Sequence, residues 1–165
     1  MAVAEKQLTG RLVRISGPMI EAEGMLGATM GEIVRVGKMN LMGEVIRIEG
    51  DKIYAQVFED TGGMYLGEEV VGTGQPLTVE LGPGLLSSTF DGIQRPLITL
   101  KESSGDFISR GLTALALDRN ARWEFTPTVQ VGQEVQAGDV LGTVPETKAI
   151  LHKVLVPPRV SGRIK

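Results

Sequence analysis

The sequence predicts a mainly β protein in two parts. A small closed β-barrel comes first, followed by a β-rich, hammerhead-like domain left incomplete at its C-terminus. Three observations predict this. Glycine supplies 22 of 165 residues and aromatics only 4%; glycine at about twice its usual share, set between short β-branched runs, means many tight turns between short strands. A short pattern recurs three times, as GRLVRI at 10–15, GEIVRV at 31–36 and GEVIRI at 43–48. Each copy is a glycine turn followed by a run of strand character. Further on, VQVGQEVQAGDVLGTV at 129–144 alternates short apolar runs with Gly132 and Gly138-Asp139 turns.

The first domain is expected to span residues 1–76. Its strands are predicted at the three repeats, then at Ile53–Phe58, Glu69–Gly72 and Leu77–Leu81. Strand alternation puts Val13 with Ile15, Val34 with Val36, and Ile46 with Ile48 towards a shared core. Glu32 then falls on the same face as Val34 and Val36. The third repeat is shifted by one position, so Arg14, Arg35 and Arg47 form no single stripe and read as solvated barrel exterior. Gly50-Asp51 between Ile48 and Ile53 is a hairpin signal. About six short strands suit a barrel, because closure removes exposed edges.

Residues 77–99 read as a hinge. Leu77, Val79 and Leu81 alternate as a strand until Gly82-Pro83-Gly84 ends it, since proline donates no hydrogen bond. Leu85, Leu86, Phe90 and Ile93 follow near helical spacing, and Asp91-Gly92 closes that turn. The second domain is expected at 100–165. Its apolar cluster at Leu112, Leu115, Ala116 and Leu117 gives way to Trp123 and Phe125, with Trp123 read as core. Val160–Lys165 resembles a strand whose partner lies beyond the last residue.

Charge and composition exclude several function classes. Net charge is −3, and residues 1–80 carry 7 basic against 12 acidic side chains. Neither half has the basic footprint that phosphate backbones require. Only Tyr54, Phe58 and Tyr65 could stack bases on the barrel, so no nucleic-acid partner is expected. Without cysteine there are no disulfides, thiolate metal sites or cysteine nucleophiles. The start lacks the apolar stretch of a signal peptide, and no run approaches the ~20 residues of a membrane span. A cytoplasmic protein with no direct membrane insertion is expected.

The stretch PLTVELGPGLLSSTFDGIQRPL (76–97) resembles the N-terminal region of the catalytic A subunits found in archaeal-type and vacuolar-type rotary ATPases. The likeness begins at GRLVRISGPMIEAEGM (10–25) and continues through VGKMNLMGEVIRIEGD (36–51) and VFEDTGGMYLGEEVVGTGQPL (57–77). It runs on through SGDFISRGLTALALDRNARWEF (104–125) and GTVPETKAILHKVLVPPRVSGRIK (142–165). The resemblance implies a collar barrel that joins A and B subunits in a hexameric ring. It also implies an outer insertion domain near the peripheral stalk, in a soluble head lying against the membrane. The parent subunit would couple ATP hydrolysis or synthesis to proton or sodium transport, with ATP or ADP and Mg held by its nucleotide-binding domain. No G-x-x-x-x-G-K-[ST] cradle occurs in this sequence, because Gly37-Lys38 is followed by Met39. The chain by itself is therefore expected to be inactive, with no catalytic, cofactor-binding or metal residue of its own.

The alternative reading is a biotinyl- or lipoyl-type carrier module with Lys148 as the attachment site, in Glu146-Thr147-Lys148-Ala149. Against it stand the missing aspartate, Pro145 before the turn, and a long return to Pro157. Other candidate groups read as structural. His152, the single histidine, sits in an apolar run and has no partner for a metal site or a dyad. Glu59-Asp60 before Thr61-Gly62-Gly63 read as a solvated turn. Asp91 and Arg95 could pair with each other or brace another domain.

Overall fold

The computed structural model describes residues 7–165; the expectation about the extreme N-terminus falls partly outside the described residues. The chain forms two compact units. The first comprises Met1–Val79 with Thr99–Thr113, the second Glu80–Ile98 with Ala114–Lys165. The segments expected from sequence, 1–76, 77–99 and 100–165, thus differ from the observed division in two respects. Residues 99–113 group with the barrel, and most of the hinge groups with the second unit.

The first unit is a closed barrel of six antiparallel strands. These are β1 (Thr9–Ser16), β2 (Met19–Glu23), β3 (Glu32–Val36), β4 (Leu41–Glu49), β5 (Lys52–Val57) and β6 (Glu69–Pro76), in the order β1-β2-β5-β4-β3-β6. The Gly50-Asp51 hairpin is present, with Glu49 opposite Lys52 and Gly50 at φ 63. Two expectations fail. MIEAE, where no strand is predicted, supplies β2, whose Ile20 and Ala22 are fully buried. Leu77–Leu81 is not a strand: Leu77, Val79 and Leu81 are 43%, 62% and 79% exposed. Alternation alone could not show that no neighbouring strand was left to pair with it.

The core faces of the repeats also differ from strict alternation, for one physical cause. β1 carries a bulge between Leu12 and Arg14, and β4 one between Val45 and Arg47. A bulge inserts one residue into the period-two pattern and turns the chain over. Leu12 and Val45 are therefore buried, Ile15 and Ile48 pack three positions later, and Val13 and Ile46 are displaced outward. β3 keeps Val34 and Val36 in the core, but its own shift between Glu32 and Val34 buries Glu32, Ile33 and Val34 in succession.

Because β4 and β3 separate β5 from β6, the chain must cross one end of the barrel between them. It does so at 58–68, inserting Met64 into the core and hydrogen-bonding Thr61 Oγ1 to the Gly17 carbonyl at 2.7 Å. Helix α1 (Leu97–Ser104) follows later in the chain and ends at Gly105, whose φ is 75 and whose N–H reaches the Lys101 carbonyl. The helical spacing at Leu85–Ile93 forms turns instead, so the one α-helix among the described residues starts after it.

The second unit has a three-stranded sheet ordered β10-β9-β7, from β7 (Thr126–Pro127), β9 (Val140–Pro145) and β10 (Leu151–Leu155). A two-stranded ladder pairs β8 (Glu134–Val135) with β11 (Gly162–Arg163). The closing strand thus finds its partner inside the chain, contrary to expectation, and Arg163 Nε adds a bond to the Gly132 carbonyl at 2.7 Å. Aromatic rings lie over glycines: a Cβ at Gly142 would collide with the Phe125 ring, and one at Gly84 would meet Trp123 at 3.3 Å. Trp123 is 38% exposed and so is not the core residue expected. Val144 and Val156 are the buried apolar residues of this unit among those described. With so thin a core, the unit depends on polar ties.

Candidate functional site: the braced loop 80–97

The segment from Glu80 to Leu97 is the most densely tied loop of the second unit. Gly82 and Gly84 lie close beneath other side chains: a Cβ on Gly82 would stand 2.8 Å from Leu117, and Gly84 at φ 105 lies under Trp123. Glycine is needed at 84 both for that dihedral and for the ring. Glu146 Oε1 accepts hydrogen bonds from Gly84 N–H at 2.7 Å and Leu86 N–H at 3.2 Å. Burial pushes the Glu146 carboxyl up, but these N–H donors, first Gly84, together with the neighbouring His152, outweigh it and hold the group below the usual carboxylate range.

The second half of the loop folds around Asp91. Its Oδ1 accepts from Arg95 N–H at 2.8 Å and Ile93 N–H at 3.1 Å, and its Oδ2 from Arg95 Nε at 2.7 Å. Burial raises the Asp91 carboxyl, yet the Arg95 N–H, the Arg95 guanidinium and the Ile93 N–H together lower it. Gln94, at φ 62, pairs its side-chain amide with the backbone of Glu80, accepting at 2.6 Å and donating at 2.7 Å. Glu80 in turn pairs with Arg119. Phe90 bridges to Pro96, and Leu97 N–H reaches the Thr89 carbonyl.

Two non-glycine residues at positive φ, Ser87 and Gln94, lie in this loop. Such backbone persists only where the surroundings over-determine it. The loop is a preformed platform presenting Leu81 and Leu86, 79% and 43% exposed.

The other sequence candidates fall in separate places. Glu59-Asp60 is a turn of which Asp60 is exposed as expected, but it is also tied: Glu59 Oε2 accepts from Gly111 N–H at 2.6 Å, and Arg110 reaches Asp60 Oδ2 at 3.2 Å as well as the Gly62 carbonyl. They tie the 99–113 stretch to its own unit. Gly37-Lys38 forms the β3–β4 turn, where Lys38 N–H meets the Glu68 carboxylate at 3.0 Å. Arg14 and Arg47 are exposed and Arg35 is half-buried. Arg47 pairs with Glu49 and stacks 5.1 Å over Tyr54. The Tyr54 hydroxyl, donating to Glu49 at 2.9 Å, is the leading cause that lowers the Glu49 carboxyl and is itself raised by the same bond. Phe58 and Tyr65 are exposed.

His152 on β10 stands 3.8 Å from Glu146 Oε2. Lys148 is exposed in the loop between β9 and β10. Sequence reasoning passed over Glu146, Gly111 and Gln94. Glu146 was visible only as context for the lysine, and nothing local marks its partners sixty and sixty-two residues away. Glu32, which alternation did place on the core face, is 3% exposed and accepts from Thr29 N–H and Gly74 N–H, each at 2.9 Å. Among the described residues, no three or more His, Asp or Glu side chains are grouped to hold a metal. Among the described residues, no helix is long and apolar enough to cross a membrane.

Comparison with known proteins agrees with this architecture. Residues 12–74 match the beta-barrel domain of the ATP synthase alpha/beta family, and residues 114–165 match the barrel-sandwich domain of the ATP synthase alpha/beta subunits. The A subunit of the A-type ATP synthase of Desulfurococcus sp. (strain SY) is 61% identical over 94% of this chain and 26% of that protein. Its counterpart in Thermococcus kodakarensis is 60% identical over 94% and 26%, and that of Methanosphaera stadtmanae 52% identical over 96% and 27%. The chain therefore spans about a quarter of the length of these relatives. Among solved structures, the ATPase EscN of the enteropathogenic E. coli type III secretion system aligns at a TM-score of 0.48, with 31% identity over 53% of this chain and 21% of that one. The carrier-module reading of Lys148 finds no support in these matches. The two matched domains and the similarity along nearly the whole chain place it in the ATP synthase alpha/beta family, as a chain similar to the N-terminal region of the A subunits of A-type ATP synthases.

Proposed function

We propose that this chain serves as the N-terminal, non-catalytic part of an A subunit in a rotary ATP synthase that couples ATP synthesis or hydrolysis to proton or sodium transport. The observation that carries this reading is the 61% identity to the A subunit of an A-type ATP synthase over 94% of the chain. In this reading the barrel joins B subunits in the hexameric collar of the soluble head. The second unit contacts the peripheral stalk, and ATP or ADP with Mg binds in the nucleotide-binding domain of the parent subunit. A chain with a closed six-stranded barrel, exposed Leu26, Met30, Tyr65 and Leu66, and no phosphate cradle suits assembly rather than chemistry.

The test pairs two measurements. Titration of this chain with Mg-ATP should give no saturable heat, and mixing it with purified B subunit of the same ATPase should give a complex by native mass spectrometry. Saturable micromolar nucleotide binding, or a folded chain that leaves B subunit uncomplexed, would overturn the proposal.

A further inference from the structure

Glu146 occupies an unusual position in the second unit. Its backbone opens the loop between β9 and β10, where its N–H bonds to the Ile150 carbonyl at 3.1 Å. Its side chain, 5% exposed, leaves that loop to reach the Gly82–Leu86 turn. One carboxylate oxygen takes both turn N–H groups, and the other faces His152 Nδ1 on β10 at 3.8 Å. The hairpin loop is organised by a different residue. Thr147 Oγ1 accepts from Ala149 N–H at 3.3 Å and Ile150 N–H at 3.1 Å, and Thr147 also exchanges backbone bonds with Ile150. Thr147 thus shapes the loop from which Glu146 reaches out, and among the described residues no hydrogen bond joins Thr147 to the turn.

We infer that Glu146 is a conformational latch, coupling the order of the exposed 146–150 hairpin loop to that of the Gly82–Leu86 turn. The physical basis is a shared carboxylate. Two charge-assisted bonds satisfy turn donors only while the backbone at 146 is held in place, and the hairpin loop holds it there. Loosening the loop must free the turn, and by linkage freeing the turn must loosen the loop. A macromolecule that grips the Thr147–Lys148–Ala149 tip would then change the state of the braced platform 80–97 without touching it. The latch rests on contacts within the second unit and is independent of the ring reading above.

Residue-resolved amide hydrogen exchange on this chain tests it through a double-mutant cycle. Thr147→Ala removes a hydroxyl whose hydrogen bonds come from Ala149 and Ile150 of the loop, yet the latch requires Gly84 and Leu86 amides to exchange about threefold faster or more. With Glu146→Gln, which keeps the side-chain size but removes the charge, those amides exchange faster from the start and Thr147→Ala adds little. The Val156 amide, bonded to the Asp139 carbonyl at 2.9 Å, reports that the unit stays folded in each variant. Should it lose protection in Glu146→Gln, Thr147→Ala alone decides the matter. Unchanged Gly84 and Leu86 exchange in Thr147→Ala, or equal acceleration with and without Glu146, would overturn the latch.

Discussion

Arg95 and Asp91 lie four residues apart and close the FDGIQRP loop around a single carboxylate. The guanidinium Nε sits 2.7 Å from Oδ2 while the Arg95 N–H takes Oδ1 at 2.8 Å, and the side chains are only 12% and 18% exposed. The pair therefore differs from a surface ion pair, whose worth is marginal. It satisfies backbone donors that would otherwise face a half-buried turn.

Asp91→Ala should consequently destabilise the second unit by about 1 kcal/mol or more, because it removes the acceptor of the part-buried Ile93 and Arg95 N–H groups. Urea unfolding followed by Trp123 fluorescence, a probe inside that unit, measures this. A loss below about 0.5 kcal/mol, the size of an ordinary surface change, would contradict the role given to Asp91.

Asp91 and a second carboxylate bound to the loop, Glu146, set a pH dependence. Asp91 and Glu146 are both held below their ordinary values of 3.8 and 4.5. The unfolded chain therefore binds more protons than the folded one between the depressed and ordinary values. Their stabilisation is complete above the ordinary values and is lost as pH falls through the folded ones. The urea midpoint of the second unit should be flat down to about pH 5 and then drop towards about pH 3. Asp91→Asn and Glu146→Gln should each make that drop shallower.

Gly111 combines a φ of 68 with a position where a Cβ would collide with the Met39 carbonyl. Gly111→Ala should cost about 2 kcal/mol or more in the barrel unit, from strain and clash together. It should also loosen the stretch held by Glu59 and Asp60. Limited proteolysis between Ser104 and Thr113 reads the second effect directly, with faster cleavage than in the parent chain.

The bulge in β4 gives a sharp contrast between neighbours. Val45 is 1% exposed and Ile46 39% exposed, although strict alternation through the repeat favours Ile46 as the core residue. Val45→Ala should cost about 2 kcal/mol, and Ile46→Ala roughly 0.5 kcal/mol or less. Thermal unfolding of the two variants side by side checks it, and the reverse ranking would refute the bulge.

These contrasts mark how much the residues reveal. The Gly50-Asp51 hairpin, strands at all three repeats and the burial of Glu32 beside Val34 could be read locally, because turn chemistry and period-two burial act over a few residues. Met19–Glu23 escaped notice because its small Ala22 and two glutamates mute the strand signal. Leu77–Leu81 misled because alternation describes a strand's faces and not whether a partner edge exists. The braced loop was legible only in part: Asp91 and Arg95 stand close in sequence, whereas Glu146 and Gly84 meet only after folding.

The sequence by itself determined a β-rich chain in two parts, its glycine turns, and a lasting likeness to one family. Those properties are local, set by backbone dihedrals, donor counts and side-chain order along the chain. Tertiary structure alone decided which strands close the barrel, where bulges turn Leu12 and Val45 inward, and that residues 99–113 belong with the barrel. It alone also turned Glu146 from a neighbour of Lys148 into the anchor of the Gly84–Leu86 turn. Such features depend on donors and acceptors finding one another across long stretches of chain, where no periodicity or spacing records the meeting in advance.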